Sequence, residues 1–392
     1  MKTSTLTAWL AAPALLAVSI SELSAEPALG SGATPPFAWH ASTSSPRPVE
    51  ATAEPLYQLC GPAEQSLEQV ARRSAMRQLR GEATAGGDEL AASLRAAGGP
   101  YLWPRLWSLR GGGVSDEELF RRVSAWLGKS ATTGQRRCGV VRTQLDSGES
   151  LVTVTTVDAL ADLESLPTVT RSGAWLSLRA RMLVPANDAK VVLLGPRGAP
   201  RTVLASLSGD TIRASFVVDQ PGSWLVQVLA TVSIGPRPVL EARIQADGPP
   251  PFAYASEPAP GEDAGAGLAD ERAALSRMID AARASERLPK LSASAELTRV
   301  AQEHTDAMIQ KRTVGHDVGE GDWTERLLAA GVPVEHAGEN VASASSLSRA
   351  HRALWASPSH RANLLDPRFT RVGLGIRKTD DGRVWVTQVF AR

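Results

Sequence analysis

Five of the six histidines in this 392-residue chain, His304, His316, His336, His351 and His360, fall in its last quarter, and none occurs between positions 41 and 303. Histidine titrates and ligates metals near neutral pH, so this clustering locates whatever acid–base or metal chemistry the chain performs. Two imidazoles and a carboxylate are ligand types that zinc or a similar divalent ion accepts, with water in the fourth place. An ion held in that way would activate its water. Hydrolysis by a protein nucleophile needs a further group. No cysteine follows position 138, and Ser357 and Ser359 stand beside His360 in what reads as a loop, where Ser and Pro are ordinary turn residues. Adjacency in sequence does not align a hydroxyl with a base.

The elements that must position these groups are marked by their ends. Asp270 caps a helix carrying Leu275, Met278, Ile279 and Ala282, and a second helix carries Leu297, Val300, Ala301, His304 and Met308 on one face, which turns His304 inward. A third helix opens with Asp322 and Glu325 in capping-box spacing and closes at Gly331. A fourth carries Leu347, Ala350, His351 and Leu354 and must end before Pro358. Strands follow over Val372–Ile376 and Val384–Phe390 around the turn Asp380-Asp381-Gly382. Residues 269–392 therefore read as an α+β unit. His336 reads as a surface-loop residue and His351 as a helix-face residue.

Several linked motifs carry a resemblance: Ala301-Gln302-Glu303-His304, Gly315-His316, Ala330-Gly331, Gly338-Glu339-Asn340-Val341-Ala342, Ser357-Pro358-Ser359-His360-Arg361-Ala362-Asn363-Leu364-Leu365, Gly373-Leu374-Gly375 and Gln388-Val389-Phe390. In order and spacing this resembles the bacterial CAP, or SCP, domains, whose superfamily includes cysteine-rich secretory proteins, venom antigen 5 and class 1 plant pathogenesis-related proteins. The resemblance covers essentially the whole C-terminal unit. It implies an α-β-α sandwich, usually secreted, whose cleft holds two His and two Glu that in some members bind a divalent metal. Carried over, the cleft residues, and the metal ligands the resemblance implies, are His316, Glu339 and His360. The second Glu has no match, since Ala356, Ser357 and Pro358 follow Trp355. Three uses of the cluster stay open: a hydrogen-bonded polar cluster pinning loops to helices, a metal site, or metal-assisted hydrolysis of peptides or envelope polymers. Asn340 reads as a structural residue satisfying backbone groups at a turn. Binding without catalysis is the preferred function, with lipid, cell-wall or protein ligands all compatible, no cofactor certain, and zinc the type of ion a metal site would take.

The remaining chain supplies context. The balance of 42 basic and 41 acidic residues, with arginines scattered rather than grouped, excludes a nucleic-acid footprint. Residues 1–25, with an apolar run from Leu6 to Ile20 and small residues at Ser24-Ala25, read as a signal peptide cleaved near Ala25; a retained anchor is the alternative, although the run is short for a membrane span. Secretion, or a place in the periplasm or cell envelope, is the expectation, with no transmembrane segment in the mature chain. No cysteine follows the run, which argues against a lipoprotein. The only two cysteines, Cys60 and Cys138, suggest one disulfide in an exported chain, with two buried thiols as the alternative.

Residues 26–56 and 248–268, rich in Pro, Gly, Ala and Ser, read as linkers. Between them, residues 57–158 read as a helical α/β domain, with helices over 64–128 and strands after it. Residues 165–247 read as a β-sandwich of about immunoglobulin size, serving as a spacer or, on a third reading, as a surface-attachment module. One pattern links the two ends. Leu67, Val70 and Ala71 match Leu297, Val300 and Ala301, and Cys138-Gly139 with Leu151–Val157 run parallel to Val372-Gly373 with Val384–Phe390, at an offset near 230–234. Residues 57–158 are thus a candidate degenerate copy of the C-terminal unit, lacking every histidine.

Overall fold

The computed structural model describes residues 37–44, 46–130, 132–250, 254–332 and 335–392. The expected signal peptide lies outside the described residues, as does the first part of the linker, 26–36. From residue 37 onward that linker is packed rather than free. His40–Ala41 (β1) pairs with a short strand at Leu166–Pro167, and the Ala38 N–H donates to Ala96 O at 2.8 Å. Ala41 and Leu56 are buried. The compositional bias masks these few apolar residues, each of which finds a core.

The N-terminal unit contains α1 (Tyr57–Cys60), α2 (Gln65–Leu79), α3 (Gly87–Ala96), β2 (Arg105–Gly112), α4 (Asp116–Leu127), β3 (Gln135–Gln144) and β4 (Glu149–Ala159). Leu67, Val70 and Ala71 of α2 are buried at helical spacing, and Ser115 caps α4 by accepting from the Glu118 N–H at 3.2 Å. β2 corrects the helical expectation for 64–128. Its half-buried residues form an edge strand pairing only with β4, where cross-strand bonding overrides a pattern that marks neither period clearly. The antiparallel order is β2-β4-β3. Cys60 and Cys138 form a disulfide with Cα atoms 5.8 Å apart, joining α1 to β3.

The β-sandwich contains β5 (Ala161–Leu163), β6 (Leu166–Pro167), β7 (Val169–Thr170), β8 (Ala174–Met182), β9 (Asp188–Leu194), β10 (Arg201–Ser208), β11 (Thr211–Val218), β12 (Gly222–Val232) and β13 (Gly235–Ala246). β10 belongs to both layers: residues 201–204 pair with β9 and residues 205–208 with β11. Alternate residues point inward, as Ile212, Ala214, Phe216 and Val218 do along β11.

The C-terminal unit runs α5 (Glu271–Ser285), β14 (Ser292–Ala293), α6 (Ala295–Lys311), α7 (Trp323–Ala329), β15 (Ala337–Ala344), α8 (Leu347–Ala356), α9 (Pro358–Leu364), β16 (Arg371–Lys378) and β17 (Val384–Ala391). The sheet order is β14-β16-β17-β15. α6 and α7 pack on one face through Leu297, Val300, Ala301, Leu327 and Val389; α5 and α8 pack on the other with Leu275, Ile279, Ala350, Leu354, Val386 and Phe390. This is the α-β-α sandwich expected. α6 approaches the sheet so closely that a Cβ at Gly373 would lie 2.1 Å from the Leu297 carbonyl carbon. The second expected linker is also packed: Glu262 pairs with Arg352, and Gly261 and Gly265 lie directly on α5. Among the described residues no helix is long and apolar enough to cross a membrane.

The two α/β units agree in detail. Ala63 bridges Cys138 in parallel, as Ala293 pairs with Val372. The Glu64 N–H donates to Cys138 O at 2.8 Å, and the Ser294 N–H to Val372 O at 2.9 Å. A Cβ on Gly139 would lie 2.2 Å from the Leu67 carbonyl carbon, the counterpart of Gly373 on Leu297. Gly139 opposes Thr155 as Gly373 opposes Val389. Across the sheet Leu106 faces Thr155, where Glu339 faces Val389.

Candidate functional site

The site begins with the buried face of α6. Ser294 caps the helix by accepting from the Leu297 N–H at 3.3 Å, and the i, i+3, i+4 rhythm from Leu297 delivers His304 to the same interior face. A polar ring there needs partners, because an unpaired buried polar group costs about 1–3 kcal/mol. His304 has them: Nδ1 bonds the Glu320 carboxylate, Nε2 lies 2.9 Å from Gly315 O, and the Glu339 carboxylate is 3.8 Å away.

β15 is an edge strand, and its alternation sends Glu339 to the α6 face and Asn340 to the opposite face. The Glu339 carboxylate is fully buried. One oxygen is 2.8 Å from His316 Nδ1, and the other takes an Arg326 N–H. Burial alone opposes the charged form, but the His316 hydrogen bond and the charges of His316, Arg326 and His304 outweigh it and hold the carboxyl below its usual range. Arg326 sits on α7, whose start is set by the complete Asp322–Glu325 capping box. Its guanidinium also donates to the carbonyls of His316 and Gly321, each at 2.6 Å. It therefore pins the histidine loop and neutralises the acid at once.

His360 lies in the first turn of α9 rather than in the expected loop. Pro358 is compatible with this: it ends α8 but suits the first position of the next helix, whose N–H has no intrahelical partner. The His360 carbonyl accepts from Asn340 Nδ2 at 3.1 Å, and Asn340 also bonds Gln388 and Asn363. Asn340 thus ties β15, β17 and α9 together. The His360 ring makes no hydrogen bond or ion pair among the described residues. Burial, then the nearby charge of His316, pushes its pKa down to about 3, so the ring is neutral.

The structure therefore joins His316 to Glu339 directly, whereas His360 is tied to Asn340 through its backbone carbonyl, with no bond from its ring to either group. The metal set drawn from the resemblance is not assembled: both Glu339 oxygens are taken by His316 and Arg326, and among the described residues no three His, Cys, Asp or Glu side chains form a group suited to a metal. The Ser357 and Ser359 hydroxyls lie 3.4 Å from each other, with no hydrogen bond to a histidine. His336 stacks on Phe369 and bonds Asp366 at 3.0 Å; His351 is buried, with Nε2 3.1 Å from Pro260 O. Reasoning from sequence missed His304, Glu320 and Arg326 as members of the cluster. The available signal was a histidine on an apolar helix face, which must find a partner, together with the Glu320 and Arg326 charges flanking the capped start of α7.

Residues 277–390 match the family model for the cysteine-rich secretory protein family, CAP. Among solved structures, the chain is similar to an outer surface protein from Borrelia burgdorferi at 24% identity, over 31% of this chain and 92% of that one, with a TM-score of 0.30. An extracellular SCP-domain protein from Bacillus anthracis is 16% identical, over 59% of this chain and 86% of its own, with a TM-score of 0.28. A cysteine-rich secretory protein from Staphylococcus aureus is 11% identical over 59% and 85%, with a TM-score of 0.27. No curated protein matches the chain.

Proposed function

The C-terminal unit is a CAP domain, and on that premise we propose that this chain is an exported protein of the cell envelope or extracellular space whose His-lined cleft binds a ligand without turning it over. One observation carries the reading. The carboxylate at the centre of the cluster is saturated by His316 and Arg326, and among the described residues no hydroxyl or thiol hydrogen-bonds a cluster imidazole. Such an arrangement holds shape and charge in place, whereas acid–base catalysis needs a group free to move a proton. The neutral His360 ring and the Asn340 network offer hydrogen-bonding and apolar contact instead. The disulfide supports export, since such bonds persist in oxidising compartments.

We further read residues 57–158 as a lapsed CAP-like copy. It keeps the helix-on-glycine packing and strand order, and a leucine, Leu106, takes the place of Glu339. Its use is as scaffold. Superposition of residues 64–157 on residues 294–390 in an experimental structure tests the pairing, and disagreement in strand order would end it.

The functional test is turnover against peptide and glycan pools, with and without added zinc, for the full chain and for His360→Ala. No turnover is expected in any arm. Turnover that His360→Ala abolishes would replace binding with metal-assisted hydrolysis. Fractionation with N-terminal sequencing tests export, with a mature start near Glu26 expected.

A further inference from the structure

The cleft is covered by another part of the same chain. The β12–β13 hairpin of the sandwich reaches both of its walls. At its tip, Gly235, at φ +93°, abuts the histidine loop: a Cβ there would lie 3.2 Å from His316 Cβ. Further along, Gln227 meets the other wall, its Oε1 accepting from the Ser359 N–H at 3.1 Å and its Nε2 lying 3.5 Å from Ser357 Oγ. Gln227 stands five positions before Val232, the last residue of β12, so this stretch of the hairpin spans roughly 17 Å at about 3.3 Å per residue.

The contact is latched on its far side too. Gln227 Nε2 donates to Glu241 at 3.0 Å, and the second Glu241 oxygen accepts from Arg95 of the N-terminal unit at 2.5 Å. A polar relay thus runs from Arg95 through Glu241 and Gln227 to the amide beside His360. Both middle members are buried. Behind the hairpin the polar groups are nearly sealed: the His316 side chain is 15% exposed, Arg326 8%, and those of His304 and Glu339 are fully buried. Solvent therefore reaches the His316 and Arg326 side chains only in part and the other two not at all.

We propose that the β12–β13 hairpin is a built-in lid, latched through Gln227 and Glu241, and that ligand enters the CAP cleft only when the β-sandwich moves away from α9 and the His316 loop. The interface suits a reversible closure. The hairpin meets α9 and the His316 loop through hydrogen bonds and one close glycine, whose net stabilisation is small and whose groups water satisfies on opening. The lid's role rests on the ligand-binding reading of the cleft, but its closure is a matter of access and is testable without a ligand.

The experiment is carbethoxylation by diethyl pyrocarbonate on the full chain, with the rate at each histidine read by mass spectrometry. His336, whose side chain is 31% exposed and lies outside the cleft, is the internal reference. In the native chain His316 and His360 react more slowly than His336. Gln227→Ala removes the latch to α9 and raises both cleft rates on the order of tenfold, the factor expected for loss of one or two modest hydrogen bonds; the His336 rate stays unchanged. The converse variant, Gly235→Cys with Asp317→Cys, closes the lid when oxidised and slows both cleft rates, and reduction restores them. The proposal is overturned if the cleft histidines of the native chain react as fast as His336, or if the oxidised and reduced forms of the cross-linked variant react alike. It is equally overturned if folded Gln227→Ala leaves both rates unchanged. Those outcomes leave the binding reading standing, because turnover and ligand capture are measured separately.

Discussion

Removing the Cys60–Cys138 bond should destabilise the N-terminal unit by about 4.5 kcal/mol while sparing the CAP domain. The two cysteines are 78 residues apart. A closed loop of about that length removes roughly 15 cal/mol/K of chain entropy from the unfolded ensemble, which is about 4.5 kcal/mol at room temperature. The structure shows why the unit depends on it. In the CAP domain, the 15-residue α5 buries Leu275, Met278 and Ile279 against sheet and helix; its counterpart α1 has four residues and buries Tyr57 and Cys60. The covalent link takes over the anchoring that a short helix cannot supply. The variant is Cys60→Ala with Cys138→Ala, which leaves no stray thiol, and the assay is hydrogen exchange of individual segments in the native state. Opening energies for β3 and β4 should fall by about 4–5 kcal/mol, and those for β16 and β17 by less than about 0.5 kcal/mol, as for an independent distant site. A fall below about 1 kcal/mol in β3 and β4 would refute the loop-entropy account. An equal fall in β16 and β17 would show that the two units open together.

Gly373→Ala should cost the CAP domain about 3 kcal/mol or more in denaturant unfolding, because its methyl group would overlap backbone 2.1 Å away on α6; Gly139→Ala should do the same to the N-terminal unit. Arg326→Met strands the buried Glu339 carboxylate and should cost about 3–5 kcal/mol, whereas adding Glu339→Leu should recover most of the loss in the same melts. At Asp366, burial opposes ionisation, but hydrogen bonds from Arg368 and His336 outweigh it and bring the pKa from 3.8 to about 2. Its folded pKa is depressed, so its contribution is complete above about pH 4 and fades as pH falls through 2. With the side chain 12% exposed, about 2 kcal/mol should disappear across that window. Asp366→Asn should flatten that part of the stability–pH curve.

Legibility followed the range of the interaction. Two helix starts in the C-terminal domain were readable because each depends on local chemistry: Asp270 and Asp322 accept from backbone N–H groups within three residues. The inward turn of His304 was readable from helical spacing alone. Its partner was not, since Glu320 comes from a loop 16 residues on and meets it only through the fold. Arg326 escaped for the same reason. β2 was missed because an edge strand takes its identity from its partner, and α9 because Pro358 was read only as the end of one helix when it also starts another. The β-strand series from Trp175 to Ala246 was visible in its alternation. The crossing of β10 between layers, a property of pairing, was not.

Both α/β units place the last strand in the chain between two earlier ones: β4 lies between β2 and β3, and β17 between β15 and β16. Neither outer strand bonds the other, so each sheet stays without its middle until synthesis passes its final segment. A nascent or partly threaded chain would carry two unmatched strand edges per unit, the kind of surface that seeds aggregation. Truncations ending before Val384 should therefore yield insoluble material rather than a smaller soluble domain.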